Sequence, residues 1–327
     1  MKVNLDPLKN TKRILLDIRL VPLQGNRFQP TTFPSLGAAT FQTNDGMGLL
    51  VESTQSMANR LELTIWDDTR NDVKYQFDGL SHVRVNRHGK FLTDTILESH
   101  RLNSPYLLES KNKEFFEKIK KEIVSIETGP IDRKKLIDSV LKYDVNSLIH
   151  GLFLAKKDLA GGRLRIARAL SAFIEADGVQ VAASGGVKND HINPSGDTSK
   201  GFGNVPFPRD EYTANKITLY VNLDLALIRS YGLDDNTERL LTLLSLYKIR
   251  YLLDDGIRLR TACDLRVLDD ISAQIPKDWQ LPSLEDLQAD LCAVIPKCKD
   301  KMTVDVFEFN DEHKKGKTKD EIKSGDI

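Results

Sequence analysis

Lys216-Ile217-Thr218-Leu219-Tyr220-Val221-Asn222-Leu223 alternates apolar and polar side chains with a period of two. Such alternation marks a strand with one buried and one accessible face. Ile217, Leu219, Val221 and Leu223 form the set that goes inside. Three more stretches read in the same way. Near the N-terminus, Ile14, Leu16, Ile18 and Leu20 oppose Leu15, Asp17, Arg19 and Val21. Further on, Val179, Val181 and Ala183 oppose Gln180, Ala182 and Ser184. Last, Ile257, Leu259, Thr261, Cys263, Leu265 and Val267 oppose Arg258, Arg260, Ala262, Asp264 and Arg266, read as one strand.

Helical spacing lies between these strands. Asn236 to Asp254 is apolar around most of its circumference and predicts a heavily buried helix. Arg163 to Ala176 places Leu164, Ala167, Leu170 and Ile174 on one stripe, after Gly161-Gly162 and before Gly178. Leu49 to Leu61 reads as a short helix. Glu114 to Ile123 and Arg133 to Lys142 flank the breaker Gly129-Pro130. The mixture is α+β without regular alternation. It suits a split ferredoxin-like arrangement: an antiparallel sheet of four strands with helices on one face and the other face open.

Two stretches are too long for ordinary connections: about 22–48 and about 185–215. Between them, about 66–147 reads as an insertion. The tail from about 310 to 327 is polar, charge-mixed and expected to be disordered.

The 327 residues are 40% hydrophobic and 29% charged, which suits a chain with a sizeable core. Lys and Arg number 47, as do Asp and Glu, so any basic surface must be local. No run of about 18 apolar residues is present, and Met1-Lys2-Val3-Asn4-Leu5-Asp6 has no signal core. A cytoplasmic location is expected. Cys263, Cys292 and Cys298 lack zinc or disulfide spacing and read as reduced, buried side chains.

The common catalytic signatures, P-loop, nucleophile elbow and zinc-protease helix among them, are missing. Gly201-Phe202-Gly203 is too short for a dinucleotide fingerprint, and His150 reads as a core histidine. The 185–215 stretch balances Lys188, Lys200, Arg209 and Lys216 against Asp190, Asp197, Asp210 and Glu211. It also interleaves Phe202, Phe207 and Tyr212, side chains that wedge between bases or stack on them when they project. Gln55, Ser56, Asn59 and Arg60 sit on adjoining turns of the first helix, a set suited to a sugar-phosphate backbone. Lys156, Lys157, Arg163, Arg165 and Arg168 form one local basic cluster. Arg258, Arg260 and Arg266, sharing a face, form another, with Tyr220 on a neighbouring strand.

Several segments, in order, resemble one family. They are Arg27-Phe28-Gln29-Pro30-Thr31 with Phe33-Pro34 and Leu36-Gly37, and Leu50-Val51-Glu52-Ser53 with Gln55 to Leu61. Later come Ser184 to Asp190, Gly201 to Phe207, Arg209 to Tyr212, and Arg258 to Leu265. The chain resembles, over roughly 13–268, the backbone subunit of type I-U (I-G) CRISPR effector (Cascade) complexes. That is the Csb-one subgroup of the Cas-seven family, in the repeat-associated mysterious protein (RAMP) superfamily. The resemblance implies one hand-shaped, modified RNA-recognition (RRM-like) palm over 1–309. The 66–147 insertion would be its finger and the 185–215 hairpin its thumb.

The resemblance further implies a non-catalytic subunit, with no cofactor and no metal, that polymerises on CRISPR RNA and presents it to target DNA. Its partners would be other copies of itself and further subunits, Cas-five-like, Cas-six-like and large. No membrane partner is implied. RNA contacts are expected at Arg27, Gln55, Ser56, Asn59, Arg60, Lys188, Asn189, Lys200, Phe202, Phe207, Arg258 and Arg260. Two alternatives remain: a metal-dependent ribonuclease using Asp190 or Asp197, and a monomeric domain that binds single-stranded RNA.

Overall fold

A computed structural model of the chain describes residues 2–31, 37–44, 46–123 and 130–311. Met1, Phe33, Pro34, Leu36, Gly129 and tail residues 312–327, all named above, lie outside the described residues. The strands are β1 (Arg13–Pro22), β2 (Thr40–Thr43), β3 (Gly46–Glu52), β4 (Trp66–Asp67), β5 (Asp72–Val73), β6 (His82–Arg87), β7 (Lys90–Asp94) and β8 (Leu152–Leu154). They continue with β9 (Leu164–Ile166), β10 (Leu170–Asp177), β11 (Gln180–Lys188), β12 (Val205–Thr213), β13 (Lys216–Asp224), β14 (Ile257–Arg260), β15 (Cys263–Val267) and β16 (Val304–Glu308). The helices are α1 (Thr54–Leu63), α2 (Pro105–Leu108), α3 (Glu114–Ile123), α4 (Arg133–Tyr143), α5 (Val145–His150), α6 (Leu225–Arg229), α7 (Asp235–Asp254) and α8 (Leu284–Cys298).

The chain forms two compact units: Met1–Phe77 with Arg168–Lys297, and Asp78–Ala167 with Cys298–Ile327. The second unit therefore begins and ends later than the insertion expected over 66–147, and it takes in the chain after Cys298.

The first unit holds a seven-stranded sheet in the order β14-β15-β1-β13-β10-β3-β2, with antiparallel neighbours throughout. Its centre runs β15-β1-β13-β10, while the chain runs β1, α1, β10, β13, α7, β15. That is the ferredoxin-like order 4-1-3-2. Ile14 pairs with Leu223 and Leu20 with Ile217, which puts both apolar sets on one face. Leu170, Ala172, Ile174 and Ala176 join them, and all are buried. Each fully buried Leu, Ile or Val contributes roughly 1.5–3 kcal/mol. A slip of one residue would turn the whole set outward, so the core fixes the register. α1 lies on β10 and against α7.

Five expectations need correction. Arg163–Ala176 is not a helix but β9 and β10. Its alanines suit either period, and β10 is decided by ladders to β13 on one side and β3 on the other. The stretch Val179–Ser184 is a strand over most of its length, as expected, but as β11 it pairs only with β12, stands outside the seven-stranded sheet and buries neither face. Leu49–Glu52 completes β3 before the helix begins at Thr54. The 257–267 run is two strands, β14 and β15, which turn back at Thr261-Ala262. Cys292 is exposed, whereas Cys263 and Cys298 are buried as expected.

In the second unit, β6 lies between parallel β16 and antiparallel β7. Phe115 of α3 meets Phe307 and Tyr143 edge-on at 5.1 and 5.9 Å. The expected helices α3 and α4 are present, and α4 is capped by Asp132, which accepts from the Lys135 amide. His150 ends α5 and is buried. β8 and β9 form a short separate hairpin.

Candidate nucleic-acid interface

Ser53 starts α1. Its extended backbone and its hydroxyl, which accepts from the Ser56 amide at 3.3 Å, supply the N-cap. Met57, Ala58, Leu61 and Glu62 turn inward. Gln55 and Asn59 are exposed one turn apart, and Ser56 and Arg60 are half-buried. Arg60 turns back into the protein. Its Nε donates to Glu52 Oε1 at 3.1 Å, and its other nitrogens donate to the carbonyls of Arg258 (3.3 Å) and Leu259 (2.8 Å). The Glu52 carboxylate is fully buried, and Arg60 is the cation that compensates it. Arg60 thus anchors α1 on β14.

The first loop is stitched on three sides. Phe28 and Tyr212 exchange backbone hydrogen bonds of 2.9 and 2.8 Å at the base of the β11–β12 hairpin. The Gln29 amide donates to Ala262 O at 2.8 Å, in the β14–β15 turn. The Thr31 amide donates to Val51 O at 3.0 Å, on β3. The loop therefore spans between the two sides of a curled sheet. Arg260 serves it from below, donating to Pro30 O at 2.9 Å. Arg27 stays largely exposed, 3.6 Å from the buried carboxylate of Glu211, which Arg209 also meets at 2.8 Å. A polar cleft of about 310 Å³ opens beside Arg27, Glu211 and Asp264.

The β11–β12 ladder runs from Gln180↔Thr213 to Lys188↔Val205. A Cβ on Gly186 would come within 3.2 Å of the Phe207 ring across the ladder, and one on Gly185 within 3.0 Å of Phe207 O. The two glycines let that aromatic lie over the ribbon. At the tip, the Asp190 carboxylate accepts from the amides of Ile192 (2.9 Å), Asn193 (3.0 Å) and Gly203 (2.8 Å). Those amides hold it below the usual carboxylate range. Asp197 accepts from the amide and hydroxyl of Ser199. Both aspartates are therefore turn-closing groups. The closed tip leaves Ile192 97% and Phe202 52% exposed, and Phe207, on the ribbon, is 45% exposed. Lys188, Asn189 and Lys200 are exposed beside them.

Arg258 and Arg266 are exposed on the β14–β15 ribbon, with Asp264 directly opposite Arg258. They share a face, though across two strands. Tyr220 does not join them, because β1 lies between β15 and β13. It stacks instead on Phe173, with centroids 5.2 Å apart, near Asp17, Glu175 and Asp177. Burial, and then Asp177, push the Glu175 carboxyl up. Phe173 was hidden by the helical reading of its strand. The other basic cluster also breaks up. Lys156 donates to Leu108 O at 2.6 Å, and Arg168 to Thr54 O at 2.8 Å.

Polar helix face, pinned basic loop, arginine ribbon and apolar-tipped hairpin are thus joined within one unit. The class is a mixed α+β protein of ferredoxin-like topology with a long projecting hairpin. Residues 14–181, just over half of the chain, match the family described as CRISPR-associated protein GSU0053. The chain belongs to that CRISPR-associated family, which bears out the resemblance to Cas-seven-type proteins. No curated protein matches the sequence. Among solved structures, a chain of a CRISPR RNA-guided surveillance complex, pre-nicking, is 15% identical with a TM-score of 0.38, covering 77% of this chain and 76% of its own. Csc2 of Thermofilum pendens is 12% identical with a TM-score of 0.33, covering 92% and 79%. Both scores are low, so neither likeness carries a residue role to this chain. No helix among the described residues is long and apolar enough to cross a membrane.

Proposed function

We propose that the chain is a non-catalytic backbone subunit that holds CRISPR RNA in a type I (I-U/I-G) surveillance complex. Several copies line one guide and leave bases free to pair with target DNA. The observation that supports this most is the joining of α1, the first loop, the β14–β15 ribbon and the hairpin base in a CRISPR-associated chain. In this reading Arg27, Gln55, Ser56, Asn59 and Arg258 contact the sugar-phosphate backbone. Lys188, Asn189 and Lys200 steer the hairpin, and Phe202 and Phe207 wedge against bases. Arg60 and Arg260 act from behind, by fixing α1 and the loop. A zero net charge lets copies pack without repulsion while a few cations face one groove.

Co-expression with a CRISPR array tests the proposal. The expected result is RNA that co-purifies with the protein and a regular filament in electron micrographs. A monomer without RNA refutes it. Regularly spaced cleavage of complementary RNA with magnesium, lost in Asp190→Ala, would replace it with the ribonuclease reading.

A further inference from the structure

We propose that the outer face of the β8–β9 hairpin holds the DNA strand displaced when guide and target pair, an inference that rests on the function proposed above. Leu152, Leu154, Leu164 and Ile166 fill the inner face of this hairpin and are buried. On the outer face Phe153 stands directly opposite Arg165, both exposed, with the guanidinium carbon 4.7 Å from the ring centroid. Phe153 is left 46% exposed although the strand already has its core in Leu152 and Leu154.

The loop beyond is closed by its own hydrogen bonds. Gly161 N donates to Lys157 O at 2.8 Å, Gly162 N to Leu159 O at 2.9 Å, and Arg163 Nε to Ala160 O at 2.8 Å. Gly162 has φ +68°, and a Cβ there would lie 2.7 Å from Ala155 O. This packing holds the backbone of a turn on which Lys157 and Arg163 are exposed. Between Gly151 and Ala167 the only acid is Asp158. Among the described residues neither Lys157 nor Arg165 makes an ion pair.

One aromatic face backed by a guanidinium, with cations nearby, suits a polyanion that offers bare base faces. A duplex hides those faces. In the proposed complex the guide lies in the first unit's groove and the target strand is paired with it. The displaced strand is the one whose bases stay bare.

The test uses full-length protein purified with its guide and a labelled, non-complementary oligothymidylate of about 20 nucleotides, read by fluorescence anisotropy. Phe153→Ala should weaken binding about tenfold, and Phe153→Trp should retain it. Arg165→Gln and Lys157→Gln should each lower the log–log salt slope by about 0.7. Guide content and melting temperature should not change. A triple variant that binds the oligonucleotide like the parent overturns the inference, as does one that sheds its guide. A parent protein that purifies without guide refutes the proposed function instead, and is scored separately from the anisotropy.

Discussion

Replacing Arg60 with methionine separates an anchor from a guide contact. The substitution keeps most of the side-chain volume but leaves the Glu52 carboxylate, 0% exposed, without its cation. Breaking a buried ion pair by removing one partner costs about 3–5 kcal/mol. Arg60 is itself 28% exposed, which places the cost near the lower end, about 3 kcal/mol. In a unit of about 200 residues that lowers the melting temperature by roughly 6–12 °C. Arg60→Lys restores the charge but not the fork to the Arg258 and Leu259 carbonyls, and should lose about 1–2 kcal/mol. Glu52→Leu with Arg60→Met removes both charges and should regain much of the loss. Circular-dichroism melts of the four proteins measure this. A methionine variant that melts within about 2 °C of the parent, or a double variant no better than it, refutes the anchor.

Asp290 accepts from the amides of Lys2 and Val3 and from Arg239. Burial alone would raise its carboxyl, but those donors bring it below the ordinary value. A depressed folded pKa means stability present above the unfolded value of about 3.9 and lost as pH falls through the folded one. Asp290→Asn should therefore melt earlier than the parent at neutral pH, and the gap should narrow as pH falls below the unfolded value of about 3.9. Asp190→Ala should speed hydrogen exchange at the Ile192, Asn193 and Gly203 amides while the global melt stays put. Iodoacetamide should label Cys292 alone in the native protein, since burial, then the Glu52 carboxylate, push the buried Cys263 thiol up to about 12. Replacing residues 189–204 with a short Gly-Ser linker should leave the first unit folded, because the Phe28–Tyr212 bridge lies at the hairpin's other end. Assembly on RNA should drop in that variant, and light scattering would show it.

β1 and β13 were legible because each carries an unbroken apolar period on one face, and α7 because it is apolar and buried around most of its circumference. β10 was not. Ala172 and Ala176 fit a helix as well as a strand, and only pairing on both edges decides between them. The β14–β15 turn was hidden because Thr261-Ala262 lacks the glycine, proline or asparagine that usually marks one. The projecting hairpin was visible through its length, and its glycines were explained only by the ring of Phe207. The site divides along the same line. That Gln55, Asn59, Lys188, Asn189 and Lys200 are exposed could be read from local spacing. The arginines could not. Whether a guanidinium faces a ligand depends on which carbonyls and carboxylates the tertiary fold leaves in need of a donor, across separations of about two hundred residues. Glu52, Leu259 and Pro30 claim Arg60 and Arg260, while Arg258 and Arg266 remain exposed. Substitutions at the first pair should therefore act through stability. Arg258→Gln should weaken RNA binding at an unchanged melting temperature, because a solvated guanidinium contributes little to folding until a phosphate arrives.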